Sequence, residues 1–173
     1  KAIVFEGPED YHKRLNDKKL KIDENSILIV RGCGPVGYPG SAEVINMQPP
    51  DRLLKKGINT LPTLGDGRQS GTSASPSILH VSPESAVGGD LAIIKTGDNM
   101  CIDLNKRRVD LLISKTEFKK RRKKIKVIKF DNQTPWQEIS RSNVGQLEDG
   151  ACIRSRGLYI DIAEKKGIPR NNH

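Results

Sequence analysis

Gly65-Asp66-Gly67-Arg68-Gln69-Ser70-Gly71-Thr72 gathers a carboxylate, a guanidinium and two hydroxyls into one short stretch. Its three glycines let the backbone take positive φ and approach a ligand with no Cβ in the way. Apolar runs frame it, Leu61 to Leu64 before and Ile78-Leu79-His80-Val81 after. From spacing alone the stretch reads equally as a polar β-turn or as a ligand loop. Asp66 and Arg68 are expected to order it, by pairing with each other or with backbone groups. His80, set in an apolar run, reads as a satisfied core or interface histidine rather than an acid catalyst.

The elements that must hold this loop are short and mostly strand-like. Ala2 to Phe5, Ser26 to Arg31, Ile58 to Leu64, Ser77 to Val81, Leu91 to Lys95, Asn99 to Leu104 and Arg108 to Ile113 are rich in Ile, Val and Leu. Thr96-Gly97-Asp98 and Asn105-Lys106-Arg107 read as hairpin connections of a meander. Helices are expected at Ser41 to Met47, Pro50 to Lys56 (ended by Gly57), from Ser82-Pro83-Glu84 with Ser82 as N-cap, Thr116 to Lys124, and Tyr159 to Lys166. Many short strands with few helices predict an α/β fold whose core is a closed or nearly closed β-barrel flanked by short helices. Residues 1–125 read as the domain carrying the loops. Residues 126–173 read as a C-terminal extension on the same domain, pegged by Trp136.

Composition narrows the function classes. The chain has 173 residues and a net charge of +9, much of it in Lys119-Lys120-Arg121-Arg122-Lys123-Lys124-Ile125-Lys126. Aromatics make up 4% of the chain and none interleaves that run, so base stacking has no surface. The run reads as the solvated end of a helix starting near Lys115, with Phe118 as its apolar anchor, and not as a nucleic-acid site. Cys33, Cys101 and Cys152 show no CxxC spacing, which argues against a disulfide framework and against a self-contained zinc or cluster site. No apolar run approaches the roughly 20 residues of a membrane span and no signal peptide is recognisable, so the expected compartment is the cytoplasm.

The ordered motifs add a resemblance. Gly65 to Thr72 followed by Leu79 to Asp98 is similar to the C-terminal signature of the dihydroxyacid dehydratase and phosphogluconate dehydratase family. Arg31 to Val44 and the opening Ala2 to Tyr11 match the same family. The tail, Thr134 to Glu138, Val144 to Leu147 and Gly167 to Arg170, resembles the branch acting on sugar acids such as arabonate and xylonate. The resemblance implies a swivelling β/β/α domain. It also implies an N-terminal domain of the same enzyme that carries an iron–sulfur cluster, beside Mg2+, in a homo-oligomer. The chain opens at Lys1, inside a strand pattern, and is expected to be the C-terminal domain of that longer enzyme.

The implied reaction removes water from a 2,3-dihydroxy acid to give a 2-oxo-3-deoxy acid. By alignment Ser70 is the base, a role a serine can fill only if cations and backbone N–H groups stabilise its alkoxide. Gly71 and Thr72 are placed at the substrate, and Glu43 as a magnesium ligand. The tail points to a five- or six-carbon aldonic acid, with a branched-chain dihydroxy acid as the other candidate. A non-catalytic ligand-binding or interaction domain that keeps the fold is the alternative from a different class.

Overall fold

The computed structural model describes residues 1–40, 43–69 and 75–167. In chain order its strands are β1 (Ala2–Glu6), β2 (Ile27–Arg31), β3 (Glu43–Ile45), β4 (Thr63–Gly65), β5 (Arg68–Gln69), β6 (Ser77–Ile78), β7 (Met100–Asp103) and β8 (Arg108–Leu111). The helices are α1 (Gly7–Arg14), α2 (Asp51–Leu54), α3 (Lys115–Arg122), α4 (Pro135–Asn143) and α5 (Arg156–Lys166). β1, β2, β4 and β6 form one parallel sheet in that order. β3 pairs with β5 in parallel, and β7 with β8 in an antiparallel hairpin.

A parallel pair needs a crossover connection, and α1 supplies it between β1 and β2. Crossovers bury both sheet faces, which is why β1 and β2 read as unbroken apolar runs. Along both strands the side chains alternate between two cores. Ile3, Phe5, Leu28 and Val30 pack with Tyr11, Met47 and Leu53, while Ala2, Val4, Ile27 and Ile29 pack with Leu64, Leu91 and Ile94. Phe5 and Tyr11 meet edge to face at 5.3 Å between ring centroids.

The expected barrel is not found. Among the described residues the main sheet is open, because its strands are joined by crossovers instead of hairpins. Leu91 to Lys95 is not a strand: Asp90–Ile93 is a 3-10 turn, with Leu91 and Ile93 buried. Thr96-Gly97-Asp98 therefore joins no hairpin. It covers the edge of β1, where Ala2 N donates to the Asp98 carbonyl, Gly97 N to the Ala2 carbonyl and Val4 N to Thr96 Oγ1, all within 2.9 Å. Pairing of this kind blunts an exposed strand edge. The second connection is a hairpin turn as expected, running from β7 through Leu104–Arg107 to β8.

The helices differ in detail too. The helix expected from Ser41 to Met47 is absent at Glu43–Ile45, which is strand β3; Ser41 and Ala42 lie outside the described residues. Ser82 caps no helix, since the turn there is a 3-10 turn at Ser85–Val87 entered through Glu84. α3 begins one residue earlier than expected, with Ser114 Oγ accepting from Glu117 N. Phe118 is half-buried under α3, and Arg121 is tied to Asp98 (2.5 Å) and Glu117 (2.8 Å). α1 and α4 were not anticipated; both carry Pro in the first turn, a position that spares a missing N–H.

Candidate functional site

Parallel strands bring their carboxyl ends to one edge, where open α/β sheets bind ligands. Here β1 ends at Glu6, β2 at Arg31 and β4 at Gly65. The segments that follow β2, β4 and β6, namely 32–40, 66–69 and 79–89, are fastened together by two fully buried carboxylates.

Asp66 holds the first junction. Its Oδ1 accepts from Cys33 N at 2.9 Å. Its Oδ2 accepts from Gly32 N at 3.1 Å, Ser85 N at 2.9 Å and Ser85 Oγ at 2.6 Å. Glu84 holds the second. Its Oε1 accepts from Val36 N and Gln146 Nε2, and its Oε2 from Gly37 N, each at 2.8 Å. A carboxylate clamped by charge-assisted bonds of this kind fixes a loop more firmly than neutral partners do. The close approach needs glycine. A Cβ on Gly34 would lie 2.5 Å from Glu84 Oε2, and one on Gly67 would lie 2.5 Å from the backbone oxygen of Cys33.

Arg31 completes the frame. It bonds Glu6 in a fork and donates to the carbonyls of Leu91 (2.9 Å) and Ile94 (3.0 Å). The 126–167 segment reaches the same loop through Arg141 Nε to the Val36 carbonyl (3.0 Å) and through Gln146. Two clefts open beside the loop. One of about 530 Å3 is lined by Glu6, Arg31, Gly32, Tyr38, Gln137 and Arg141, and one of about 340 Å3 by Pro35, Gly40, Arg68, Trp136 and Ile139. A third cavity, about 370 Å3, lies between the sheet and the β7–β8 hairpin among Leu64, Leu91, Met100, Leu111 and Phe118. Its apolar lining suits packing better than chemistry.

The residues singled out from sequence fall as follows. Ser70, Gly71 and Thr72 lie outside the described residues. Glu43 opens β3 with its side chain exposed, opposite Arg68 in the β3–β5 register. The register thus brings Glu43 alongside the strand whose last residue, Gln69, precedes Ser70. Arg68 is exposed and does not pair with Asp66, whose four donors leave it no need of a guanidinium. His80 is exposed with φ of 57°, so it is not a core residue. Trp136 is 63% exposed and is no peg; the extension is held instead by Arg141 and Gln146. Glu84 and Gln146 were missed because their partners are 48 and 62 residues away, beyond any local pattern.

The described side chains do not build a cluster site. Among the described residues no three His, Cys, Asp or Glu side chains converge on a point. Cys33 is buried, Cys101 exposed and Cys152 half-buried. Burial, with the nearby charges of Asp66, Glu9 and Glu84, pushes the Cys33 thiol up to about 12, so it stays a protonated core group. Glu43 offers one hard-oxygen ligand and no more. No helix among the described residues is long and apolar enough to cross a membrane.

Comparison with known proteins gives these loops a context. The chain is 55% identical over all 173 residues to the D-xylonate dehydratase of Caulobacter vibrioides, of which it spans 29%. It is 49% identical to the L-arabinonate dehydratase of Rhizobium leguminosarum over 121 residues, 70% of this chain and 21% of that protein. With the dihydroxy-acid dehydratase of Thermodesulfovibrio yellowstonii it shares 37% over 153 residues, 88% of this chain and 27% of that protein. The chain thus spans less than a third of the length of these relatives. Residues 1–151, which hold both clamps and the glycine loops, match the family model described as dihydroxy-acid/6-phosphogluconate dehydratase C-terminal. The chain belongs to the dihydroxy-acid/6-phosphogluconate dehydratase C-terminal family.

Proposed function

We propose that this chain is the C-terminal part of a hydro-lyase that converts a 2,3-dihydroxy sugar acid to the 2-oxo-3-deoxy acid. The observation that carries the proposal is the 55% identity with D-xylonate dehydratase over all 173 residues of the chain. Ser70 takes the proton from C2, which the neighbouring carboxylate makes acidic; hydroxide leaves C3, and the enol becomes the 2-oxo acid. Gly71 and Thr72 bind the substrate, and the clamped Asp66 precedes the short strand β5 that leads to Ser70. The Lewis acid for the departing hydroxide, an iron–sulfur cluster, and most of a Mg2+ shell fall to an N-terminal domain of the full-length enzyme. Glu43 adds one magnesium ligand. In this reading the domain swivels on that partner, and the enzyme is a cytoplasmic homo-oligomer.

The test is a turnover assay of the full-length enzyme with D-xylonate and L-arabonate. Ser70→Ala should lower kcat at least about a hundredfold with the thermal midpoint unchanged, as for loss of a general base. A variant within a few-fold of wild type would return Ser70 to an ordinary turn.

A further inference from the structure

We infer that Gln146, in the C-terminal extension, is a positioning residue that latches the 32–40 segment and thereby sets Glu43. The inference rests on the reading of Glu43 as a magnesium ligand. Gln146 and Glu84 are tied in both directions: Glu84 N donates to Gln146 Oε1 at 2.9 Å, and Gln146 Nε2 donates to Glu84 Oε1 at 2.8 Å. One of these partners can only donate and the other only accept, so the amide fits in a single orientation. Glu84 in turn accepts from Val36 N and Gly37 N, each at 2.8 Å. Arg141, from α4, donates through Nε to the Val36 carbonyl at 3.0 Å, with its guanidinium over the Phe130 ring at 4.4 Å from the centroid. Val36 is thus held by its N–H and by its carbonyl, and both holds trace to the extension.

The 32–40 segment needs such a latch. Gly32, Gly34, Gly37 and Gly40 widen the range of conformations open to it. Its internal tie is Tyr38 N to the Gly34 carbonyl, at 2.8 Å. Asp66 fixes the segment where it leaves β2, at Gly32 and Cys33. Its middle is fixed by Glu84, Gln146 and Arg141. Beyond it the next strand, β3, opens with the exposed Glu43. Magnesium demands near-ideal octahedral geometry, so a ligand must be held to within about 0.5 Å to contribute fully. Groups that orient a ligand without touching the metal commonly change its affinity tenfold or more.

Gln146→Met keeps the length of the side chain and removes both ties to Glu84. In the full-length enzyme, calorimetric titration should show magnesium bound at least about threefold more weakly. The magnesium concentration for half-maximal turnover of D-xylonate should rise in step, with kcat at saturating magnesium within about twofold of wild type. Arg141→Met frees the Val36 carbonyl and should act in the same direction; it carries the comparison should Gln146→Met not fold. Asp98→Asn, at the covered edge of β1, is the control for lost stability alone. It should lower the thermal midpoint and leave magnesium affinity in place. In a Glu43→Gln background, Gln146→Met should add nothing to the loss of magnesium affinity, because both act on one ligand. The positioning role is overturned if Gln146→Met and Arg141→Met leave magnesium affinity at the wild-type value, if Asp98→Asn weakens it as much, or if the losses from Gln146→Met and Glu43→Gln simply add. Should Glu43→Gln by itself leave magnesium binding unchanged, the ligand reading fails, and the latch role falls with it.

Discussion

Asp66 and Cys33 lie side by side on the same loops, yet they answer to different physics. Asp66 is a buried charge that accepts from three backbone N–H groups and a hydroxyl. Asp66→Asn would turn an N–H toward one of those donors and leave a buried group unpaired, at a cost of about 3 kcal/mol. Denaturant unfolding reads that loss directly, and a change under about 0.5 kcal/mol would show that the clamp is not needed. Cys33 is the opposite case, a neutral group kept neutral. Because its thiol is pushed up to about 12, almost none is thiolate at pH 8, whereas Cys101 is exposed on β7. Iodoacetamide at pH 8 should label Cys101 and spare Cys33, as peptide mass spectrometry would show. The sequence left Asp66 two partners, Arg68 or backbone groups, and the structure takes the second. That Ser85 joins them was not legible there, since 19 residues separate the two.

Elements explain where sequence reading succeeded and where it failed. Strands β1, β2, β7 and β8 were legible because β-branched and aliphatic runs end at clear turn residues. Their arrangement was not: an apolar run buried on both faces reads the same in a parallel sheet as in a barrel. Glu43 was placed on a helix, within Ser41 to Met47; pairing with β5 overrode that local reading. Packing between the loop elements makes one sharp prediction. A Cβ at Gly67 would press on Cys33 Cβ and its backbone oxygen, both 2.5 Å away, and a backbone oxygen cannot swing aside. Gly67→Ala should cost about 1–3 kcal/mol and disturb the 32–40 segment, visible as a lower thermal midpoint. The tie between α3 and the 95–98 turn makes another. Burial works to raise the Asp98 carboxyl, but Arg121 and the Lys95 N–H outweigh it and hold the group below the usual carboxylate range. A depressed acid stabilises the fold above its unfolded pKa, near 3.9, and that contribution fades as pH falls through the lower, folded value. Asp98→Asn should therefore lower stability at pH 7 and make little difference near pH 2, a comparison that urea titrations at the two pH values settle.

At the scale of the whole molecule, folding and chemistry separate. The two cores lie on the two faces of the sheet, with Ile3, Phe5, Leu28, Ile29 and Leu64 all essentially inaccessible. Burial of this extent in 173 residues is enough for an independent fold. In the proposed reaction the departing C3 hydroxide needs a Lewis acid, and among the described residues no convergent set of three His, Cys, Asp or Glu side chains exists to hold one. Glu43 is exposed, and a single carboxylate leaves most of a magnesium shell to water. Three outcomes follow for the 173-residue chain by itself. It should unfold cooperatively, and it should bind magnesium too weakly to shift its thermal midpoint. Supplied with magnesium, iron and sulfide, it should release no 2-oxo acid from D-xylonate or L-arabonate. Measurable turnover there would overturn the assignment of the Lewis acid to the rest of the enzyme. In the full-length enzyme Glu43→Gln keeps the size of the proposed ligand and removes one negative charge from the proposed hard-cation site. The magnesium concentration for half-maximal activity should then rise several-fold with cluster content unchanged, and saturating magnesium should recover part of the rate. An unaltered magnesium dependence would leave Glu43 as no more than the exposed first residue of β3.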